Sequence, residues 1–312
     1  MCKLTFIFYI LIGLLFTFLG ISYFLKKNNK ISEKAYKELL NRTVSWIFMV
    51  VILSVFFFFG STGTTIIFML ISFFVFREFI SLAPVNWKDY WVLIVSFYIV
   101  IPAQYYLVWD NYYGFFSILI PVYVFGIIPA LTALLGQTKD FLQRVALIQW
   151  GQFIAIYNIS YIPALFMLDN MHIGHKETIH SLNLIVYLLI IVQFSDIAQF
   201  ICGKLFGKHR IAPEISPNKT VEGLIGGGLC AILLGVILRG LTPFSLSSSI
   251  VISALLVLAG FLGGLSLSGV KRSLHAKDWG YSIPGHGGFM DRMDSLTFSA
   301  PIFFHVVRYF YS

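Results

Sequence analysis

Apolar residues run along this chain in long blocks separated by short polar stretches. Windows of about 17–25 mostly apolar residues match the length a helix needs to cross a bilayer. They predict ten helices, at 4–25, 43–60, 64–82, 90–109, 114–136, 145–168, 181–202, 221–239, 248–269 and 295–311. No polar stretch is long enough to bury a core of its own. The pattern therefore predicts an all-α integral membrane protein, a polytopic bundle of about ten transmembrane helices. Residues 1–180 are expected to form the N-terminal membrane helices, and 181–312 a C-terminal region carrying the loops 203–219 and 270–294.

Composition strengthens this reading. Of 312 residues 58% are hydrophobic and only 12% charged, with 32 Phe, and the mean hydropathy is +0.84. A globular domain with a water-facing surface is excluded by such values. Cys2, Cys202 and Cys230 are too few and too scattered for a disulfide framework or a CxxC metal site. The opening stretch LTFIFYILIGLLFTFLGISYFL follows a single lysine and carries no small-residue cleavage pattern, so it is expected to be a first membrane helix.

The net charge of +8 is first a topological signal. With ten alternating spans, the segments 26–42, 83–89, 137–144, 203–219 and 270–294 fall on one side, and they hold 17 of the 22 Lys and Arg. The positive-inside rule puts these five in the cytoplasm and both termini outside. For 26–42, orientation and attraction to anionic lipid heads suffice as an explanation. His172, His175 and His180, in the stretch 168–180, lack a spacing that would converge their nitrogens and are expected in a solvated loop. Arg77 and Glu78, adjacent inside the third span, are expected to form a structural ion pair.

Two of the basic segments differ from the rest because they mix acids, bases, Gly and Pro. In 195–223, Asp196 lies within the seventh span with Gln199 and Gly203 on the same helical face, and Lys204, Lys208, Arg210 and Lys219 follow. A carboxylate at that depth needs a cation or a polar cavity. The nearby bases favour a polyanion site. In 268–295, Asp291 and Asp294 stand one helical turn apart, so a positive charge should lie between them. A hard divalent ion suits them, and Mg²⁺ commonly uses one or two carboxylates plus substrate phosphate. The plainer alternative is the acidic first turn of a helix, which accounts for one of the two. Gly285, Gly287 and Gly288 around His286 would let backbone N–H groups approach phosphate oxygens. The pairs Gly223/Gly227 and Gly260/Gly264 have small-xxx-small spacing, which serves either a dimer interface or close packing within one chain.

The second segment resembles, position by position, the signature of the phosphatidate cytidylyltransferases, also called CDP-diacylglycerol synthases. The matching positions are Ser268, Lys271-Arg272, Lys277-Asp278, Gly280, Ile283-Pro284, His286-Gly287-Gly288, Asp291-Arg292 and Asp294. Asp196, Gly203, Gly207-Lys208, Ser216-Pro217-Asn218-Lys219-Thr220 and Glu222-Gly223 are similar to a second motif of that family. The resemblance implies a membrane enzyme that condenses CTP with phosphatidate, releasing pyrophosphate and CDP-diacylglycerol for phospholipid synthesis. It implies Mg²⁺, alone or with a second cation, held by Asp291, Asp294, Asp196 and Asp278. Lys271, Arg272, Lys277, Asp278, His286 and Arg292 are then expected to be catalytic. Ser216, Asn218, Lys219, Thr220, Lys208, Gly287, Gly288 and Ser268 are expected to bind substrate. Expected partners are CTP, phosphatidate, membrane lipids and a second copy in a homodimer, with no nucleic acid. The expected location is a bacterial inner membrane with the active loops facing the cytoplasm.

Three positions depart from the family pattern. Gly263-Gly264 stands where a Gly-Asp pair that takes part in metal binding is usual, Leu267 replaces a glutamate, and Trp279 replaces a small residue. These departures keep a non-catalytic or weakly active binding homologue in view, beside a CTP-dependent enzyme with another lipid acceptor. A transporter is disfavoured because no inverted repeat is visible and the polar groups gather at one face. The CDP-alcohol phosphotransferases carry a longer acid pattern that is absent from this sequence.

Overall fold

The computed structural model describes residues 2–28, 32–86, 89–136, 138–169 and 180–311. Each of the ten expected segments is helical: α1 (Cys2–Lys27), α2 (Glu33–Phe58), α3 (Gly60–Leu82), α4 (Tyr90–Trp109), α5 (Tyr113–Leu134), α6 (Phe141–Leu168), α7 (Ser181–Phe206), α8 (Val221–Leu241), α9 (Leu246–Ser273) and α10 (Met290–Tyr311). The eight from α2 to α9 have the length and hydropathy to cross a membrane. An antiparallel hairpin, β1 (Arg210–Ala212) with β2 (Ser216–Thr220), joins α7 to α8. No strand was expected in that basic stretch.

Local chemistry sets the ends. Ser32, Thr220 and Ser245 cap α2, α8 and α9 by accepting backbone N–H bonds from Ala35, Gly223 and Ser248. Wide π-turns interrupt α4 at Ser96–Val100, α5 at Leu119–Val124 and α6 at Phe153–Asn158. Pro102, Pro121 and Pro163 lie in or shortly after these turns. A proline there has no N–H to give and crowds the preceding carbonyl, which a wider turn relieves.

Inside the bundle, polar side chains satisfy one another, since lipid offers no hydrogen bonds. Ser72 meets Tyr105 at 2.6 Å, Gln152 donates to Ser96 at 2.7 Å and Gln104 donates to Ser160 at 3.2 Å. Helices α7 and α8 touch backbone to backbone: a Cβ at Gly227 would collide with the Gln199 amide and stand 2.5 Å from its Cα. A Cβ at Gly260 would meet Ser299, Ser295 and Val192. Gly223, Gly227 and Gly260 therefore serve packing within the chain, whereas Gly264 faces the Lys219 and Ser295 side chains.

The expected Arg77–Glu78 ion pair does not form. Arg77 is exposed, while Glu78 is buried and turns to the 280–290 loop. Adjacent helical residues point about 100° apart, so the two cannot share one partner surface. His172 and His175 lie outside the described residues, and His180 is exposed just before α7.

Contacts tie the described parts of the basic segments together at one end of the bundle. Arg144 clasps Asp89 through two bonds, of 3.0 and 2.7 Å, with both side chains buried, and so ties 137–144 to 83–89. Arg272 reaches the Ile215 carbonyl at 3.4 Å, joining the end of α9 to the hairpin. Ser45, midway along α2, donates to the Pro284 carbonyl at 2.8 Å.

Candidate active site

At this end a cavity of about 1190 Å³ opens between α7, the hairpin, α9, the 278–288 loop and the first turns of α10. Leu15 and Phe18 from α1, Leu39 from α2 and Ile197, Phe200 and Ile201 from α7 line its apolar side. Apart from Arg42, the charged side comes from the two segments that the sequence singled out.

Lys219, on β2, leans onto α9. Its Nζ donates to the Phe261 carbonyl at 3.2 Å and lies 4.6 Å from the centre of the Phe261 ring, a cation–π contact. Burial pushes its amine below the usual lysine range, against the opposing attraction of Asp196 and Asp294. Asp196, on α7, stands beside Ser295 and within electrostatic reach of Asp294, Lys219 and Arg292. Asp294 accepts the Ser295 N–H at 2.8 Å. A Cβ at Gly264 would stand 3.0 Å from Lys219 Nζ and 3.9 Å from Asp294 Oδ2. Position 264 thus faces the site, and the lysine occupies the space beside it.

Asp291, expected to bind metal, is held here by three donors. Its Oδ1 accepts from Lys271 at 2.7 Å, and its Oδ2 accepts the N–H groups of Trp279 at 2.9 Å and Gly288 at 3.0 Å. It latches the loop to α9. Among the described residues no group of three or more His, Cys, Asp or Glu is placed to hold a metal ion. The four expected metal carboxylates therefore divide: Asp196 and Asp294 share a locale, Asp291 is bound to Lys271, and Asp278 is exposed at the cavity wall.

The loop itself is tightly wound. Ile283 donates its N–H to the Gly287 carbonyl at 2.8 Å, and Gly285 and Gly287 take φ of 76° and 83°, which other residues adopt only under strain. His286 lies edge-on to Trp46, 5.7 Å away between ring centres. Burial, then the Arg292 and Arg42 charges, holds its imidazole below the usual histidine range. Buried atoms without a partner include His286 Nδ1, Arg292 Nε and Trp279 Nε1.

Of the expected residues, Asp196, Ser216, Asn218, Lys219, Thr220, Ser268, Lys271, Asp278, His286, Gly287, Asp291, Arg292 and Asp294 line the cavity. Four do not. Lys208 is exposed and gives only its backbone N–H to Glu222, Lys277 is exposed, Arg272 holds the hairpin turn, and Gly288 is buried against Glu78. Sequence reasoning missed Arg42, Trp46, Gln193 and Ser295 in the cavity wall. Arg42 stood in a basic loop whose topological role already explained it. Ser295 adjoins Asp294 and was the one within reach of a local pattern.

Comparison with known proteins agrees with this geometry. Residues 40–310 match the cytidylyltransferase family. The chain is 34% identical over 249 residues to the uncharacterized protein YnbB of Escherichia coli K12, covering 79% of each chain. It is 40% identical over 124 residues to the phosphatidate cytidylyltransferase of Staphylococcus haemolyticus, covering 39% of this chain and 48% of that enzyme. Against the phosphatidate cytidylyltransferase of Staphylococcus saprophyticus it is 33% identical over 199 residues, 57% of this chain and 76% of the other. With the matched range reaching from α2 to α10 and both charged segments inside it, the chain belongs to the cytidylyltransferase family.

Proposed function

We infer that the protein transfers a cytidylyl group from CTP to phosphatidate, with CDP-diacylglycerol and pyrophosphate as products. The observation that carries this reading is the two-sided cavity: apolar residues of α1, α2 and α7 face charged residues of both motifs across one space. A lipid phosphate and a nucleotide could meet there. The basic segments at this end favour a cytoplasmic orientation in a bacterial inner membrane.

The chemistry needs positioning more than proton transfer. A phosphate monoester has a second pKa of about 6 and is largely dianionic near neutral pH, so it can attack without a general base. One of its oxygens would form a bond to the α-phosphorus of CTP in line. The bond from that phosphorus to the bridging oxygen breaks, and the electron pair leaves on pyrophosphate. Lys219 and Arg292 neutralise phosphate oxygens, and His286, held neutral, offers a hydrogen bond instead of a charge. Lys271 fixes Asp291, which keeps the loop closed over the cavity.

Two carboxylates beside a serine form a hard oxygen donor set that fits Mg²⁺, whose other ligands would be triphosphate oxygens and water. Asp196 and Asp294 are the residues to hold it. The ion would supply charge neutralisation at the phosphates.

A second reading, a binding homologue with little turnover, is favoured by one observation. Lys219 already stands as a counter-cation to Asp196 and Asp294, in the space beside Gly264. The deciding experiment supplies purified protein in detergent with phosphatidate, Mg²⁺ and CTP and measures pyrophosphate and CDP-diacylglycerol, with Asp294→Asn and Gly264→Asp in parallel. Product from the natural sequence that is lost in Asp294→Asn supports the transferase. No product, with turnover gained in Gly264→Asp, supports the binding homologue. Other lipid phosphates in place of phosphatidate test the acceptor.

A further inference from the structure

Glu78 is the one acid of α3, and it lies more than 200 residues from the loop it touches. It is 7% exposed. Its Oε1 accepts the Ser282 hydroxyl at 2.6 Å, and its Oε2 accepts the Met290 N–H at 2.9 Å. Met290 opens α10, so the carboxylate caps that helix from outside and sits at its positive end. Two loop glycines close around it. A Cβ at Gly280 would stand 2.9 Å from Oε1, and one at Gly288 would overlap Oε2. No basic side chain is bonded to Glu78 among the described residues; backbone, hydroxyl and glycine surfaces surround it.

We propose that Glu78 is a positioning residue of the cytidylyl-transfer site: it sets where the 280–288 loop and the first turn of α10 stand, and through them Arg292, Asp294 and His286. The kinetic side of this inference rests on the transferase reading given above; its structural side does not. Glycine at 280 and 288 follows from the same contact, since any side chain would push the carboxylate away. Gly288 carries no positive φ, and the three atoms nearest to a Cβ built there all belong to Glu78.

The chemistry separates geometry from charge. Met290 N–H can only donate, whereas Ser282 can donate or accept. In Glu78→Gln the amide oxygen takes the Met290 N–H and the amide nitrogen donates to Ser282. Both contacts survive without the charge. Glu78→Ala loses both. Gly288→Ala drives a methyl into the carboxylate, and Glu78→Asp, one methylene shorter, makes room for it.

The test has two arms, run on the full chain in detergent. Kinetically, Glu78→Ala and Gly288→Ala each lower kcat by roughly 100-fold, the scale of a misplaced site. Glu78→Gln stays within about threefold of wild type, and Gly288→Ala/Glu78→Asp recovers at least about tenfold over Gly288→Ala. By hydrogen exchange, peptides covering 280–294 lose protection in Glu78→Ala and Gly288→Ala, keep it in Glu78→Gln and regain it in the double variant. Wild-type turnover and wild-type protection in Glu78→Ala would overturn the proposal, as would a double variant no better than Gly288→Ala in either arm. If the natural sequence makes no product, the transferase reading fails, and the exchange arm alone decides whether Glu78 positions the loop.

Discussion

The Lys271–Asp291 pair offers the sharpest test of how the signature loop is held. The two charges are 2.7 Å apart, and their side chains are 12% and 8% exposed. Screening by water is therefore weak, and each charge depends on the other. In Asp291→Asn the amide oxygen keeps the N–H groups of Trp279 and Gly288, but the amide nitrogen faces the Lys271 ammonium, donor against donor. Losing one partner of a buried pair costs about 3–5 kcal/mol, because the survivor stays charged and unmatched. Lys271→Met leaves a carboxylate with two N–H donors, so its cost falls at the lower end, about 3 kcal/mol. Lys271→Met/Asp291→Asn removes both charges and should cost less than the sum by roughly 2 kcal/mol. The assay is unfolding of purified protein in mixed micelles titrated with SDS, in EDTA and again in Mg²⁺. As a latch, Asp291 makes Asn destabilising to the same extent in both. A carboxylate whose main task is to bind metal predicts the opposite, since Asp294 repels it one turn away. Asp291→Asn as stable as wild type in EDTA, or a deficit that appears only with Mg²⁺, would refute the latch.

Three further outcomes follow from contacts elsewhere. Gly227→Ala forces α7 and α8 apart at Gln199 and should lower stability by about 3 kcal/mol, whereas Gly126→Ala, with nothing within 4 Å, should not; the SDS midpoint reads both. Asp89→Ala removes the carboxylate that neutralises the buried Arg144 guanidinium, which keeps its bond to the Lys139 carbonyl, and should cost about 3 kcal/mol, seen as a lower midpoint and earlier proteolysis of the 137–144 segment. His286 has its pKa depressed below 6.5 when folded, so the unfolded chain takes up its proton first as pH falls. Its contribution is full above 6.5 and lost through the folded value; unfolding midpoints should drop from pH 7 to 5 and drop less in His286→Gln.

The helices were legible because lipid enforces a simple rule: long apolar blocks must be helical. Their ends were less so. α2 begins at Glu33, ten residues before the apolar window, since its first turns carry Lys34, Lys37 and Arg42 beyond the apolar part. α10 begins at Met290, which places Asp291 and Asp294 on a helix, as their spacing suggested, but gives them different partners. Spacing shows which residues share a face. It does not show that Lys271, twenty residues earlier, claims the first of them. The hairpin was hidden because SPNKT has neither alternation nor β-branched content beyond its threonine. Glu78 was hidden for another reason: its partners are Ser282 and Met290, and no local pattern links positions so far apart.

Charge matching around the cavity bears on why a metal would be needed. Asp196, Asp278, Asp291 and Asp294 stand against Arg42, Lys219, Lys271 and Arg292, so the wall is close to neutral before any substrate enters. Two of these charges, Lys271 and Asp291, already cancel at 2.7 Å. Phosphatidate brings a monoester of about −1.5 to −2 near neutral pH, and a nucleoside triphosphate brings more. A neutral wall cannot hold that much negative charge in a space with an apolar side, where the local dielectric is low. On the proposed reaction the balance would arrive with the substrate, as Mg²⁺ carried by the triphosphate. Two carboxylates suffice to receive such an ion, because triphosphate oxygens complete its shell. A site of this kind needs no resident cluster of three or four acids, and among the described residues none is present. Gly264 is then consistent with the neighbouring geometry: an acid there would stand against Lys219 and add another anion beside a cation that already faces Asp196 and Asp294.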